Sequence, residues 1–235
     1  MNAQTIMICS GKGGTGKSTV SVLLGAQLGA WGRRVLLIEL DSGLRSVDMI
    51  AGVYGKTVYD IEDVLCGRCD GSKAIVPSPL YPGLSVISAP YEGGEVRAAP
   101  LAGLILAMRE YFDYILLDTA AGMGAPFTAA NRLADRALVV LTPDPVALRD
   151  GRIVADALLQ NRVSRSSFGK DAAVFDLDEC IDTVGLQLIA AIPESRTLQR
   201  AGAAGTALPH DCPAAIAGHA LAGRILGERI PLTCF

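Results

Sequence analysis

The stretch Gly11-Lys-Gly-Gly-Thr-Gly-Lys17-Ser18 fits the pattern G-x-x-x-x-G-K-[ST] at every position, and its reading decides the fold. An apolar run, Thr5–Cys9, precedes it, and a helical pattern opening Ser18-Thr-Val-Ser-Val-Leu-Leu follows. Strand, glycine loop and helix in that order are what a phosphate-binding loop requires. Gly11, Gly13, Gly14 and Gly16, with Lys12 and Thr15 between them, let successive backbone N–H groups converge on an anion without side-chain crowding. The following helix N-terminus adds its partial positive charge. Lys17 is expected to reach the β- and γ-phosphates of a nucleoside triphosphate, and Ser18 to place its hydroxyl on Mg²⁺. Thr19 either adds a donor to the α-phosphate or simply packs at the helix start.

Working outward, short runs rich in Val, Ile and Leu recur at Val35–Glu39, Leu84–Ser88, Tyr114–Asp118, Ala137–Leu141 and Leu186–Ile192. They read as buried parallel strands. Between them lie segments with helical spacing, Lys17–Trp31, Ala98–Tyr111, Pro145–Leu159 and Pro213–Leu226. Alternation of this kind predicts a doubly wound α/β fold, a mostly parallel twisted sheet flanked by helices. With no repeat and no low-complexity linker, all 235 residues are expected to form one domain. The polar, basic stretch Asn161–Ala173 reads as a surface loop, and Pro77, Pro79 and Pro82 as an extended connection into the strand at Leu84.

Composition narrows the function classes. Lys+Arg 21 against Asp+Glu 24 leaves a net charge of −3, so charge alone does not draw the chain to nucleic acid. Half the residues are apolar, yet the charge-free stretch from Ala74 to Tyr91 contains four prolines and cannot span a bilayer as a helix. The N-terminus lacks the basic and apolar regions of a secretion signal, and six scattered cysteines fit reduced thiols, so a cytoplasmic location is expected. Glycine is the telling count: 26 of 235 is about 11%, against an ordinary ~7%, which points to a chemistry that uses backbone.

A magnesium site needs an acidic partner on a neighbouring strand, and Tyr114-Ile-Leu-Leu-Asp118 ends an apolar run in a carboxylate. The following Thr119-Ala-Ala-Gly122-Met-Gly124 is flexible enough to sense a γ-phosphate. A second acidic strand end, Glu39-Leu-Asp41, leads into Ser-Gly-Leu-Arg-Ser-Val-Asp48. By spacing alone, Asp41 either positions the attacking water and helps hold Mg²⁺ through water, or merely caps the next turn.

With Lys12 inside the loop, these residues resemble the deviant Walker A ATPases of the MinD/ParA family, closest to its MinD branch. The run Leu40–Asp48 resembles that branch's first switch, Asp118-Thr-Ala-Ala-Gly122 its second, and Ile192-Pro193-Glu194 the I-P-E/D motif flanking the adenine pocket. The similarity runs from Met1 to about Leu232. It implies a Mg²⁺-dependent ATPase whose ATP-bound form is a face-to-face homodimer, with Lys12 of one copy reaching the phosphates of the other. It also implies a role in placing cell-division machinery and a regulator or effector of MinC/MinE type. By this resemblance, Lys12, Lys17 and Asp41 are catalytic, and Ser18, Asp118 and Asp41 hold the metal. The loop and first helical turn, Gly11, Lys12, Gly13, Gly14, Thr15, Gly16, Lys17, Ser18 and Thr19, bind ATP or ADP together with Asn161 and Pro193.

The chain also departs from the family. Glu39 stands where an Asp is usual, and Ala120-Ala121 replaces Pro-Ala. The strand ending in the adenine-contacting Asn is hard to see, which makes Asn161 a candidate only. The family's basic amphipathic C-terminal helix has no counterpart before Phe235, so no autonomous membrane anchor is expected, and recruitment to a membrane would need a partner. Flagellar placement, ParA-like partitioning and a nucleotide-gated scaffold with little hydrolysis stand as alternatives. Direct nucleic-acid binding is not expected, since Arg162, Arg165 and Lys170 form the only local basic cluster and read as a solvated loop. Cys66-Gly-Arg-Cys69 reads as a loop with two free thiols rather than half of an iron–sulfur site, and His210 and His219 lack zinc-ligand spacing.

Overall fold

A computed structural model of the chain describes residues 3–43, 45–93, 96–159, 164–170 and 177–232. The first half runs β1 (Gln4–Cys9), α1 (Lys17–Ala30), β2 (Val35–Glu39), α2 (Ser46–Ile50), α3 (Ile61–Leu65), α4 (Gly71–Ala74), β3 (Val76–Pro77) and β4 (Leu84–Ile87). The second runs α5 (Ala98–Met108), β5 (Tyr114–Asp118), α6 (Ala125–Leu133), β6 (Arg136–Leu141) and α7 (Pro145–Leu159). It closes with β7 (Ser164–Lys170), α8 (Leu177–Val184), β8 (Leu188–Ile192), α9 (Arg196–Ala204) and α10 (Pro213–Ile225).

Eight strands form one sheet in the order β3-β4-β2-β5-β1-β6-β7-β8. Every pairing is parallel except β3 with β4. Pro77 is tolerated in β3 because that strand is at the edge, where a missing N–H breaks no interior ladder. The apolar runs are unbroken because both faces of the sheet are covered. Ile6 and Ile8 of β1 belong to one core with α1 and α10, while Met7 and Cys9 belong to the other with α5, α6 and α7. Leu116 of β5 joins the first core and Ile115 and Leu117 the second, the period-2 alternation of a strand between two layers.

The expected stretch Asn161–Ala173 is corrected in part: residues Ser164–Lys170 are a strand inserted between β6 and β8, not a loop. Arg165 and Lys170 therefore lie on an interior strand rather than in a loop. A Ser/Arg/Gly sequence does not announce a strand, because what holds β7 is backbone pairing with its neighbours rather than apolar alternation.

Parallel pairing sets where the chemistry goes. β1, β2 and β5 all end at one edge of the sheet, with Ile8 and Glu39 both registered against Asp118. Loops leaving the carboxyl ends of such strands converge, and the loop after β1 is the glycine-rich one.

Candidate functional site

The loop from Ser10 to Gly16 delivers the chain into α1 through two residues in the left-handed region, Gly14 at φ 79° and Gly16 at φ 85°. A side chain at either would be strained, which explains the glycines. Gly11 is fixed for another reason: a Cβ there would lie 2.6 Å from the carbonyl carbon of Asp150 on α7. The loop is thereby seated against α7. Ser10 holds it from within, its hydroxyl donating to the Lys12 carbonyl at 3.0 Å.

Gly13 differs from Gly11, Gly14 and Gly16 in its backbone or its surroundings. It is exposed, it is not among the residues with positive φ, and a Cβ there would meet nothing within 4 Å. Neither the fold of the loop nor its packing therefore demands a glycine at 13, and a role in binding phosphate rests on the motif alone.

Lys17, on the first turn of α1, is buried. Its Nζ lies 3.3 Å from Oδ1 of Asp118 and 3.7 Å from Oδ2 of Asp41, so the lysine and both expected carboxylates meet at one point. Ser21 donates to the same Asp118 oxygen at 2.9 Å. The other oxygen of Asp118, Oδ2, is buried without a hydrogen-bond partner among the described residues, as is the Thr15 hydroxyl. Burial pushes the Asp118 carboxyl up, opposed by Lys17 and the hydroxyls of Ser18 and Ser21. An orphaned carboxylate oxygen beside Ser18 suits a hard cation, which takes oxygen ligands and keeps several waters. Asp41 is the exposed member of the group, at 44%.

Lys12 is half-exposed, and its Nζ lies 3.4 Å from Oδ1 of Asp144. The sequence assigns Asp144 no role of its own. It closes the start of α7 by accepting from the Ala147 N–H at 3.0 Å, and the Thr142 hydroxyl donates to it at 2.6 Å. These two bonds, with Lys12 beside them, hold its carboxyl below the usual range. The only signal was Thr-Pro-Asp before a helix, common to any N-terminal cap.

Behind the phosphate loop lies a buried charge cluster. Glu39, Asp48 and Asp118 are buried carboxylates, and Lys17 and Arg45 are the buried cations beside them. Arg45 adopts φ 47°, pairs with Asp48 at 2.6 Å and stacks over the Tyr91 ring at 4.2 Å. Asp48 also accepts from Ser88 at 2.5 Å. The extra methylene of Glu39 has a use: its two oxygens accept the N–H groups of Val47 at 3.3 Å and Ala89 at 3.4 Å, tying β2 to the first switch.

Burial, then the charges of Asp118 and Asp48, push the Glu39 carboxyl up to about 8. A proton there balances three carboxylates against two cations. Since the folded pKa lies above the ordinary 4.5, folding takes up a proton between those values, and stability falls as pH rises through about 8. At ~1.4 kcal/mol per unit the ionised form costs at most about 4–5 kcal/mol. In metal-free protein, Glu39→Gln is expected to flatten the decline of Tm between pH 5 and pH 8.5 and to be the more stable protein at the upper end. A Tm difference independent of pH would show that Glu39 is already ionised.

Pro193, just after β8, lines a cavity of about 380 Å³ together with Thr19, Ser46, Ile50, Ser195 and Leu198. Two expected binding residues, Thr19 and Pro193, thus share one space beside the phosphate loop, and α2 and α9 supply walls that no motif indicated. Asn161 lies outside the described residues. The end of β7 on the site side of the sheet carries Lys170, which pairs with Ile192. Cys66 is the exposed C-cap of α3, and His219 stacks on Trp31 at 4.9 Å, both away from the phosphate loop.

Comparison with known proteins agrees with this geometry. Residues 6–208 match the CobQ/CobB/MinD/ParA nucleotide binding domain. The chain is 34% identical to the septum site-determining protein MinD of Helicobacter pylori, over 97% of this chain and 92% of that protein. It is 32% identical to the MinD of Bacillus subtilis, over 97% and 91%. In structure it superposes on a chain of the MinC:MinD cell division protein complex of Aquifex aeolicus with a TM-score of 0.91, at 32% identity, covering 99% of this chain and 100% of that one. The chain belongs to the MinD/ParA family of nucleotide-binding proteins.

Proposed function

We propose that the protein is an ATP-hydrolysing switch of the MinD kind, in which ATP draws two copies together and hydrolysis releases them, and that this cycle controls placement of the cell-division machinery. The observation that carries the reading is the meeting of Lys17, Asp118 and Asp41 at the mouth of a glycine loop whose backbone is built to hold phosphates. The family, and the likeness to septum-determining relatives along nearly the whole chain, support the biological half.

In this mechanism the backbone N–H groups of residues 11–16 and the α1 N-terminus cradle the phosphates of ATP. Lys17 leaves Asp118 and turns to the β- and γ-phosphates, moving its charge onto the group being transferred. Asp41, half-exposed beside it, orients the attacking water. Ser18, Asp118 and Asp41 are the residues that would hold Mg²⁺, which when bound would supply positive charge to offset that of the phosphates. Adenosine lies toward Thr19 and Pro193. Lys12 leaves Asp144 when the copies meet and stabilises transition-state charge in trans, as an arginine finger does.

The whole chain acts as one unit, in the cytoplasm, with a MinC-like protein partner. Light scattering with ADP, ATP and a non-hydrolysable analogue tests the switch. Doubling of the mass with ATP and the analogue, absent with ADP, is expected, and Lys12→Ala should stay at the monomer mass. A monomer in all three nucleotides sinks the mechanism.

A further inference from the structure

A second cavity, about 280 Å³, lies along α1 and shares Thr19, Ile50 and Leu198 with the cavity at Pro193. Val22, Ala26 and Gln27 of α1 form one wall, and the turn bearing Leu80 and Tyr81, with Leu208, forms the other. The turn is fixed in place by its own bonds. Ser78 donates its hydroxyl to the Ala51 carbonyl at 2.7 Å and accepts the N–H groups of Leu80 at 3.2 Å and Tyr81 at 3.1 Å. Gly52, at φ 71°, leaves room for Leu80, whose Cγ lies 2.6 Å from where a Cβ would be. Gly29 lets the Pro82 carbonyl approach α1 where any Cβ would collide with it. These close approaches preform the space rather than leaving it to collapse.

Its chemistry is selective. No Asp, Glu, Lys or Arg lines it and His210 is its one imidazole, so a cation would shed its hydration without gaining a charged partner. Gln27 is 8% exposed, and one of its amide atoms meets His219 Nδ1 at 3.2 Å. The other amide atom, Nε2, is not among the buried polar atoms left without a partner. The Tyr81 hydroxyl accepts the Leu208 N–H at 3.3 Å and keeps its own proton to donate. Apolar walls with a few polar side chains, Thr19, Gln27, Tyr81 and His210, are the make-up of a small-molecule site. A dry cavity of about 150 Å³ already admits benzene, so this volume suits a bicyclic ring.

We infer that this cavity is a second ligand site, for a small uncharged bicyclic aromatic molecule bearing a hydrogen-bond acceptor for the Tyr81 hydroxyl. Occupancy stiffens Ile50 and Leu198, which also wall the nucleotide cavity, and contacts the helix whose first turn carries Lys17 and Ser18. Ligand and nucleotide therefore bind more tightly together than apart. This coupling, unlike the site itself, rests on the nucleotide reading.

Quinoline, an uncharged bicyclic whose ring nitrogen accepts a hydrogen bond, is the probe, added to the full chain and followed by amide ¹H–¹⁵N spectra. Saturable shifts are expected at residues 22–30, 80–82 and 207–208. They should disappear in Ala26→Phe, which fills the space, and Tyr81→Phe, which keeps the packing but removes the donor, should weaken quinoline about two- to tenfold. Absent or non-saturable shifts overturn the site, as do shifts unchanged in Tyr81→Phe should the filled variant not fold. Saturating quinoline should tighten ADP binding by about fivefold or more, and an unchanged ADP affinity overturns the coupling. Failure to bind ADP without quinoline would instead remove the nucleotide reading and leave the quinoline result standing.

Discussion

Replacing Lys17 with alanine is expected to abolish ADP and ATP binding, with a loss on the order of 10³-fold by calorimetric titration. A unit charge about 4 Å from a phosphate oxygen is worth about 4 kcal/mol at the effective dielectric of a partly enclosed site, and no other buried cation reaches this loop. The same substitution acts on the fold. Asp118 is fully buried and loses its ion pair, and breaking a buried pair costs about 3–5 kcal/mol when the remaining charge has no escape. Asp118 has an escape, since burial already raises its pKa and removal of Lys17 raises it further. A raised carboxyl loses stability as pH climbs through its folded value, so Lys17→Ala should be closer to wild type in Tm at pH 5 than at pH 8. ADP affinity within tenfold of wild type would contradict the phosphate assignment.

Asp41→Ala is expected to separate binding from turnover. Phosphate release should fall by about 10²–10⁴-fold, the range for a positioned acid–base group, while ADP affinity stays within a few fold. The difference from Lys17 follows from burial. Asp41 is 44% exposed, its contact with Lys17 is 3.7 Å, and it bears no other described bond, so its loss does not disturb the loop. Phosphate release unchanged by this substitution would end the hydrolytic reading. Nucleotide binding intact in that variant would then leave a nucleotide-gated scaffold.

The site was legible wherever chemistry demanded a fixed local spacing. Gly14 and Gly16 are glycines because the backbone turns left-handed there, and Lys17 and Ser18 follow because the next helix starts at that point. Gly13 belongs to the same motif, yet no such turn or close approach accounts for it. Asp118 was legible because an apolar strand buried on both faces ends in it. Asp144 was not, since its pairing with Lys12 joins residues 132 positions apart and has no local pattern. The role of Glu39 was hidden for the same reason. In sequence it is an acid where the family prefers a shorter one, and only the approach of Val47 and Ala89 makes use of the added length.

Strand β7 marks the limit in the fold itself. Val35–Glu39 and Tyr114–Asp118 declare themselves through side chains, which prefer a covered sheet to water. Ser164–Lys170 declares nothing, because its place is set by backbone donors and acceptors left open on β6 and β8, and every sequence carries those. By itself, the sequence determined the parallel α/β class, the phosphate loop and the two acids at strand ends, all encoded by local periodicity and backbone freedom. Tertiary structure alone decided that Asp41 stands beside Lys17, that Lys12 rests on Asp144, that Glu39 shares a buried cluster carrying one acid more than its cations, and that a second cavity opens beside the first. Those outcomes depend on distances between segments remote in the chain, which only the packing of helices on both faces of the sheet brings to bonding range.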